Sequence, residues 1–439
     1  MSNRAERYHD GRTTFTKSLF ENELPSDWML VPVGEVLTSA EYGLSEPGDS
    51  SGNTPIVGMR DLVRGSVNLK GLATVDDGGN DWSAMRLRRG DILLNRTNSP
   101  DLVGKVGIVR EDSEAVFASY LVRLHADQSK ADPDFLNFWL NSSIAQIALK
   151  RLSTRGVSQA NINPSEFRKH CPFPLAPLPE QHKIAEILRT WDEAIEKLEG
   201  LRAAKLSRQR MLTHSLVFGT RQLDRFHTSD EMIPHRWFTL PASWDNKPIG
   251  KLAREISERN ADAEQHEVLS CSKYDGFVRS LEYFKKQVFS ADLSGYKKIW
   301  RGDFGFPSNH VEEGSIGLQN LTDVGVVSPI YTVFRFAPEK VVADYAFAVL
   351  KTGLYRHIFE VSTSASVDRR GSLRWSEFSK LPFPVPSLAE QRAISDVLRT
   401  GQADLDALTL EIETLTRQKR GLMQKLLTGE WRVKVGGGS

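Results

Sequence analysis

The chain writes one phrase twice. PLPEQHKIAEILRTW at 177–191 returns as PSLAEQRAISDVLRTG at 386–401. At one constant offset, and without a gap, Phe173 pairs with Phe383, Glu180 with Glu390, Gln181 with Gln391, Ile184 with Ile394, Leu188 with Leu398, Arg189 with Arg399, Leu212 with Leu422, Leu216 with Leu426 and Gly219 with Gly429. Upstream of each phrase, LPSDWMLVPVG from Leu24 is echoed by LPASWDNKPIG from Leu240, and RRGDILL from Arg88 by WRGDFGF from Trp300. A duplication of this extent admits only folds built as two copies of one module, each with its own core.

Each copy has two textures. Residues 24–174 and 240–384 carry short β-rich runs such as GKVGIV and YTVFRF, broken by Gly, Asn, Asp and Pro, with one helix-like stretch near 133–150 and near 343–359. After the PFP of 172–174 and of 382–384 the pattern changes to long helix, expected over 175–223 and 385–435, with Pro179 and Glu180 suited to a first turn. Trp191, Ile195, Leu198, Leu212 and Leu216 in the first helix, and Leu405, Leu408, Ile412, Leu415, Leu422 and Leu426 in the second, fall on steps of three and four and predict the helix-pair core. Gly401, Lys419, Arg202, Lys205 and Gln209 interrupt it. About 40 residues of helix span roughly 60 Å. In both helices acids precede bases, Asp192 and Glu196 before Lys205 and Arg208, Asp404 and Glu411 before Lys419 and Lys425, so an antiparallel pair sets acid against base. The expected fold class is α+β: two β-rich mixed globular domains in pseudo-two-fold tandem repeat, separated by a pair of long antiparallel coiled-coil helices. Residues 1–23 form an N-terminal extension, 224–239 a linker, and the closing GGGS of 436–439 an appended tail outside the fold.

The composition, 40% hydrophobic and 26% charged, is that of a folded protein. No run approaches the roughly 18 apolar residues of a membrane span, and MSNRAERYHD is too polar for a signal peptide, so the expected location is cytoplasmic, with no membrane partner. Cys171 and Cys271 stand alone, which predicts packed thiols. Phosphate-binding, dinucleotide, zinc-protease and nucleophile-elbow motifs are missing from the sequence. Asp101 and Lys105 resemble part of a nuclease cluster, but Val103 stands where the second acid belongs; His310, Glu312 and Glu313 read as a solvated loop. No catalytic residue and no metal are expected.

Features for binding are better represented. A pseudo-symmetric pair of domains held apart by a stiff spacer suits two separated sites on a pseudo-symmetric polymer, of which duplex DNA is the obvious case. The candidate contacts are Arg60; Arg96, Thr97, Asn98, Ser99 and Lys105 of NRTNSPDLVGK; Arg155, Ser158 and Gln159 of STRGVSQANIN; Lys273 and Tyr274; Lys285, Lys286, Lys297 and Lys298; Ser308, Asn309 and His310; and Ser364, Arg369, Arg370 and Arg374. These side chains fork onto base edges or grip phosphates. A formal charge of +1 implies that partners supply part of the clamp. A two-headed protein scaffold, or an enzyme modifying DNA unaided, are the alternatives.

The LPxxW opening, the mid-domain GD(I/F) turn, the PFPLAPLPEQ-type exit and the helix beginning EQxxIAxxL, all present twice, resemble the DNA-specificity subunit of type I restriction-modification enzymes over nearly the whole chain. The resemblance implies that each globular domain is a target-recognition domain reading half of a bipartite sequence, with the gap fixed by the helices. It implies a non-catalytic subunit, partnered by double-stranded DNA, two methyltransferase subunits and two motor-nuclease subunits. S-adenosylmethionine is then held by the methyltransferase and no cofactor by this chain. Glu180, Gln181, Ile184 and Leu188, with Glu390, Gln391, Ile394 and Leu398, are implied as the methyltransferase-docking positions.

Overall fold

The computed structural model describes residues 24–45, 52–156, 159–261, 265–364 and 372–434. They fall into two compact units, one of residues Met1–Leu198 with Glu411–Ser439 and the other of Glu199–Leu410. The expected extension 1–23 and tail 436–439 lie outside the described residues.

The first unit is built on a six-stranded sheet in the order Leu37–Tyr42, Leu121–Ala126, Ile92–Asn95, Val106–Ile108, Ser66–Val67, Leu62–Val63, antiparallel except where Ser66 meets Ile108. Thr54–Val57, Ala73–Val75 and Val116–Phe117 form a second sheet. Met29–Pro32 pairs antiparallel with Pro172–Leu175 and ties the two ends of the domain. Prolines are tolerated there because a two-stranded ribbon is all edge. The second unit repeats the device with Asp245–Pro248 against Pro382–Val385. Its two four-stranded sheets run Ala253–Ile256, Tyr331–Phe336, Phe304–Pro307, Gly317–Leu318 and Gly276–Arg279, Glu267–Ser272, Val324–Val327, Lys297–Trp300.

The doubled Arg-Gly-Asp turn is a structural rivet. Gly90 and Gly302 take φ of +93° and +88°, a region open to glycine. The buried Asp91 carboxylate accepts from Arg88 N at 2.9 Å and faces Arg123; Asp303 accepts from Trp300 N at 2.8 Å and from Arg335 Nε at 2.5 Å. Each buried acid is thus paired, as the burial of a carboxyl group requires.

The long helices are α1, Leu178–Val217, and α2, Leu388–Leu427. In the first unit Lys419 pairs with Asp192 and Arg432 with Glu180; in the second Lys205 pairs with Asp404 at 3.3 Å and Gln209 Nε2 donates to Leu398 O at 2.9 Å. Position along α1 rises as position along α2 and the segment that follows it falls, so the two run antiparallel within each unit. Ile195, Leu216, Leu405, Leu408, Ile412 and Leu426 are buried, and Trp191, Leu198, Leu212, Leu415 and Leu422 half-buried. Two interruptions of the stripe are explained: a Cβ on Gly401 would stand 2.2 Å from Gln209 Oε1, so glycine opens the slot through which Gln209 reaches the α2 backbone.

Three expectations change. The helix-like stretch near 133–150 is two helices, Pro133–Leu140 and Ser143–Leu152, because Ser142 caps the second by accepting from Ala145 N at 3.2 Å. Ala343–Leu350 and Gly353–Ser364 divide in the same way at Thr352, which accepts from Tyr355 N at 3.3 Å. The span 224–239 is packed rather than free: Met232–Pro234 pairs with Thr239–Pro241, and the buried Phe238 stacks on Phe218 at 5.3 Å. Among the described residues no helix is long and apolar enough to cross a membrane.

Candidate nucleic-acid interface

In the first unit the sheet register gathers one polar patch. Leu121 lies opposite Asn95 and Val122 opposite Tyr42, so Tyr42, Arg96 and Tyr120 emerge at the same end of three neighbouring strands. Thr97–Asn98 leaves that end and pairs with Ala160–Ile162, which pairs in turn with Ser153–Arg155. Two stretches that are some sixty residues apart in sequence therefore share a small sheet. Ile162 N donates to Arg96 O at 2.8 Å, and Thr97 Oγ1 donates to Asn161 Oδ1 at 2.6 Å.

Arg96 is held from three sides. Its backbone N donates to Tyr120 O at 2.9 Å, its NH1 reaches Ser119 O at 3.4 Å, and its guanidinium lies 5.1 Å from the centre of the Tyr42 ring. Tyr42 and Tyr120 are 53% and 45% exposed, far from the usual fate of a ring in a packed domain. Beneath them the fully buried Asn95 amide finds no partner for either polar atom, and neither does Arg96 Nε. Unmet buried polar groups are rare away from functional sites. Asn98 Oδ1 accepts from Ser99 N at 2.8 Å, and Gln159 is exposed, its carbonyl accepting from Gly156 N. Arg60 and the exposed Lys105 line a cavity rather than the patch, although Lys105 O accepts from Asn95 N at 2.8 Å. Ser158 lies outside the described residues, as does the side chain of Arg155.

The second unit makes the same join with different residues. Leu373 N donates to Ser308 O at 2.8 Å, the counterpart of Ile162 to Arg96, and so brings Arg374 beside Ser308, Asn309 and His310. Lys351 Nζ donates to Lys273 O at 2.8 Å and Gly314 O at 3.0 Å, tying the hairpin that carries Lys273 and the 78% exposed Tyr274 to the turn after His310. The ligand atoms of His310, Glu312 and Glu313 lie within 4.8 Å of one another, with His310 3.4 Å from Glu313. Lys285 and Lys286 are exposed at the end of the short helix Ser280–Phe284. Arg369 and Arg370, with the side chain of Ser364, fall outside the described residues.

Some expected contacts are spent inside the protein. Lys298 is 9% exposed, and Lys297 donates to Tyr331 O at 2.5 Å, burial holding its ammonium below its usual pKa. Ser308 Oγ donates to Ile330 O at 2.8 Å. Both thiols are pushed up by burial, Cys271 to about 12.

The docking expectation needs the firmest correction. Glu180, Gln181, Ile184, Leu188, Glu390, Gln391, Ile394 and Leu398 are all buried in their own unit, so these side chains offer no surface to a partner. They form a joint, written twice. Trp28 Nε1 donates to Glu180 at 3.0 Å, and Trp244 Nε1 to Glu390 at 3.1 Å. Gln181 accepts from Asp132 N at 3.0 Å and donates to Lys130 O and Ala176 O; Gln391 accepts from Val342 N at 2.8 Å and donates to Lys340 O and Pro386 O. Arg189 reaches Asp134 at 3.0 Å, as Arg399 reaches Asp344 at 3.2 Å. The copies differ in one partner: Arg432 closes over Glu180 at 2.7 Å, whereas Gln222 stands beside Glu390 at 3.5 Å, and burial lifts the Glu390 carboxyl above its ordinary pKa.

Tyr42, Tyr120 and Asn161 were not singled out by sequence. Their signal, an aromatic or amide at a strand end, acquires meaning only once the strand register is known.

Residues 25–205 match the family model described as type I restriction modification DNA specificity domain. A chain of Methanocaldococcus jannaschii named as the MjaX specificity subunit of a type I restriction enzyme is 23% identical over 433 residues, which span 94% of this chain and 96% of that one. The crystal structure of the S subunit of a type I restriction-modification system from M. genitalium superposes with a TM-score of 0.54 at 15% identity, covering 93% of this chain and 97% of that one. A chain from a study of complex assembly and conformational transition in the type I system superposes at 0.52 and 17%, covering 93% and 100%. The two superpositions speak to fold.

Proposed function

The chain belongs to the DNA-specificity subunits of type I restriction-modification systems, and from that premise we propose that it selects where a methyltransferase acts on duplex DNA, each unit reading one half of a bipartite target. The observation that carries this reading is the repeated join. In both units a polar loop leaving the central sheet is bonded through its main chain to a second polar stretch far along the sequence, while the residues displayed there differ. A retained frame with exchanged side chains is what two readers of different half-sites need.

In the first unit Arg96 is the reading residue. Arginine forked onto a guanine edge is the commonest specific contact in the major groove, and the Tyr42 face and Ser119 carbonyl fix the guanidinium in advance, reducing the ordering that binding would demand. Thr97, Asn98 and Asn161 add neutral donors and acceptors. The long helices set the gap between half-sites and dock two methyltransferase subunits, with two motor-nuclease subunits completing the complex. Docking uses the outward face of the helices, where Leu201, Leu206, Met211 and Leu410 are 39–63% exposed, rather than the buried Glu-Gln joints. S-adenosylmethionine is bound by the methyltransferase, and this chain supplies position rather than a chemical step.

Mapping methylated adenines in cells carrying the complex with Arg96→Ala tests the reading. Relaxed choice at one guanine of one half-site is expected; an unchanged motif at undiminished methylation would exclude Arg96 as a base reader.

A further inference from the structure

The first unit holds a second feature that the reading patch does not use: a cavity of 820 Å³ between the hairpin Leu62–Val67, the helices Pro133–Leu140 and Ser143–Leu152, and the C-terminal part of α2. That is the size of a small-molecule pocket. Its charged lining is one-sided. Arg60, Arg64, Lys105, Lys419 and Arg420 face a single acid, Asp192, which is already engaged by Lys419. On a chain whose formal charge is only +1, this is a pronounced local excess. Among the described residues Arg60, Lys105 and Arg420 have no carboxylate partner, and all three are exposed.

The rest of the wall favours an anion as well. Helix Ser143–Leu152 opens onto the cavity, with Ser142, Ser143 and Ile144 in the lining, so the positive end of its dipole adds to the cations. Phe138, Trp139 and Leu427 supply an apolar floor, over which charge attraction is less screened than in open water. Lys419 is held 5.1 Å from the centre of the Phe138 ring, which leaves its charge fixed rather than mobile. The duplication has not kept this arrangement: at the same offset as the repeat, Phe347 and Lys351 stand where Asn137 and Asn141 line the cavity, and Lys351 is tied to Lys273 O and Gly314 O.

We propose that this cavity is a phosphate-binding site. Arginine forks take tetrahedral phosphate oxygens in pairs, and several cations around one pocket match a group of more than one negative charge better than a lone carboxylate. The phosphate comes either from the backbone of bound duplex or from a free nucleotide's polyphosphate chain. The proposal stands apart from the reading patch and survives its failure.

Calorimetric titration of the full chain with inorganic tripolyphosphate tests it. One site per chain is expected, weakening as salt rises, with Arg60→Gln/Arg420→Gln binding at least tenfold more weakly and Arg60→Lys/Arg420→Lys retaining most of the affinity. If the Gln variant does not fold, Lys105→Gln carries the test, with at least a threefold loss expected. Displacement of tripolyphosphate by a non-target duplex, with a shallower salt slope of duplex binding in the Gln variant, identifies the backbone as the source. Displacement by ATP and not by duplex identifies the nucleotide. No tripolyphosphate binding, or equal binding by wild type and the Gln variants, would overturn the proposal.

Discussion

Gln181 and Gln391 show how much a single buried amide can hold. Each is fully buried and each joins three backbone groups that belong to different parts of its unit. Gln181→Ala strands those groups, and a loss of about 3 kcal/mol is expected in denaturant unfolding of the first unit, with the second unit unaffected. A loss under about 1 kcal/mol would mean that water replaces the amide. His125 offers a pH test. Its Nδ1 lies 3.2 Å from the buried Asp91 and its Nε2 3.7 Å from Glu41, with Arg123 opposing from the same strand. The bond to Asp91 chiefly raises its pKa above the ordinary 6.5. A raised histidine contributes stability in full below 6.5 and loses it as pH climbs through the folded value, so the wild type should lose more stability than His125→Gln between pH 6 and 8. Parallel pH profiles would contradict this. At this scale the sequence marked the right residues and assigned some of them wrong tasks. Glu180 and Gln181 repeat at Glu390 and Gln391 whether an outside partner or an inside joint keeps them, and only burial tells the two apart.

Elements were more legible than their joins. The three-four stripe located both long helices because a helix declares its period within a few turns, whereas the break at Ser142 depends on one capping bond. The patch of Tyr42, Arg96 and Tyr120 depends on register between strands that are distant in sequence, which no local pattern encodes. Helix ends carry a test of the joint. Gly219 ends α1 with φ +67°, and an added Cβ would meet Pro241 Cδ at 2.4 Å; Gly429 ends α2 with φ +73° and would meet Pro25 Cγ at 2.4 Å. Each helix end is thus pressed on the Pro and Trp of an LPxxW opening. Gly219→Ala combines a strained backbone with a clash and should destabilise the second unit by about 2 kcal/mol or more, read as a lower thermal midpoint. An unshifted midpoint would show that the contact is loose.

At the scale of the molecule, the duplication is what the sequence stated most openly, and the two units keep it in their sheets, their Asp-Arg rivets and their Glu-Gln joints. Each unit takes its domain together with parts of both long helices, an arrangement that a linear reading into domain, helix, linker, domain and helix does not convey. The linker is packed rather than free for a physical reason: Phe238 is an apolar residue in a short polar stretch, and its burial against Phe218 is a tertiary event. In the function proposed above, the two units read their half-sites independently. Exchanging residues 24–175, which takes both closing strands of the first domain, for the equivalent span of another family member and mapping adenine methylation tests it most directly. Independent reading predicts a new sequence in one half-site with the other half and the gap unchanged; a change in both halves would overturn it.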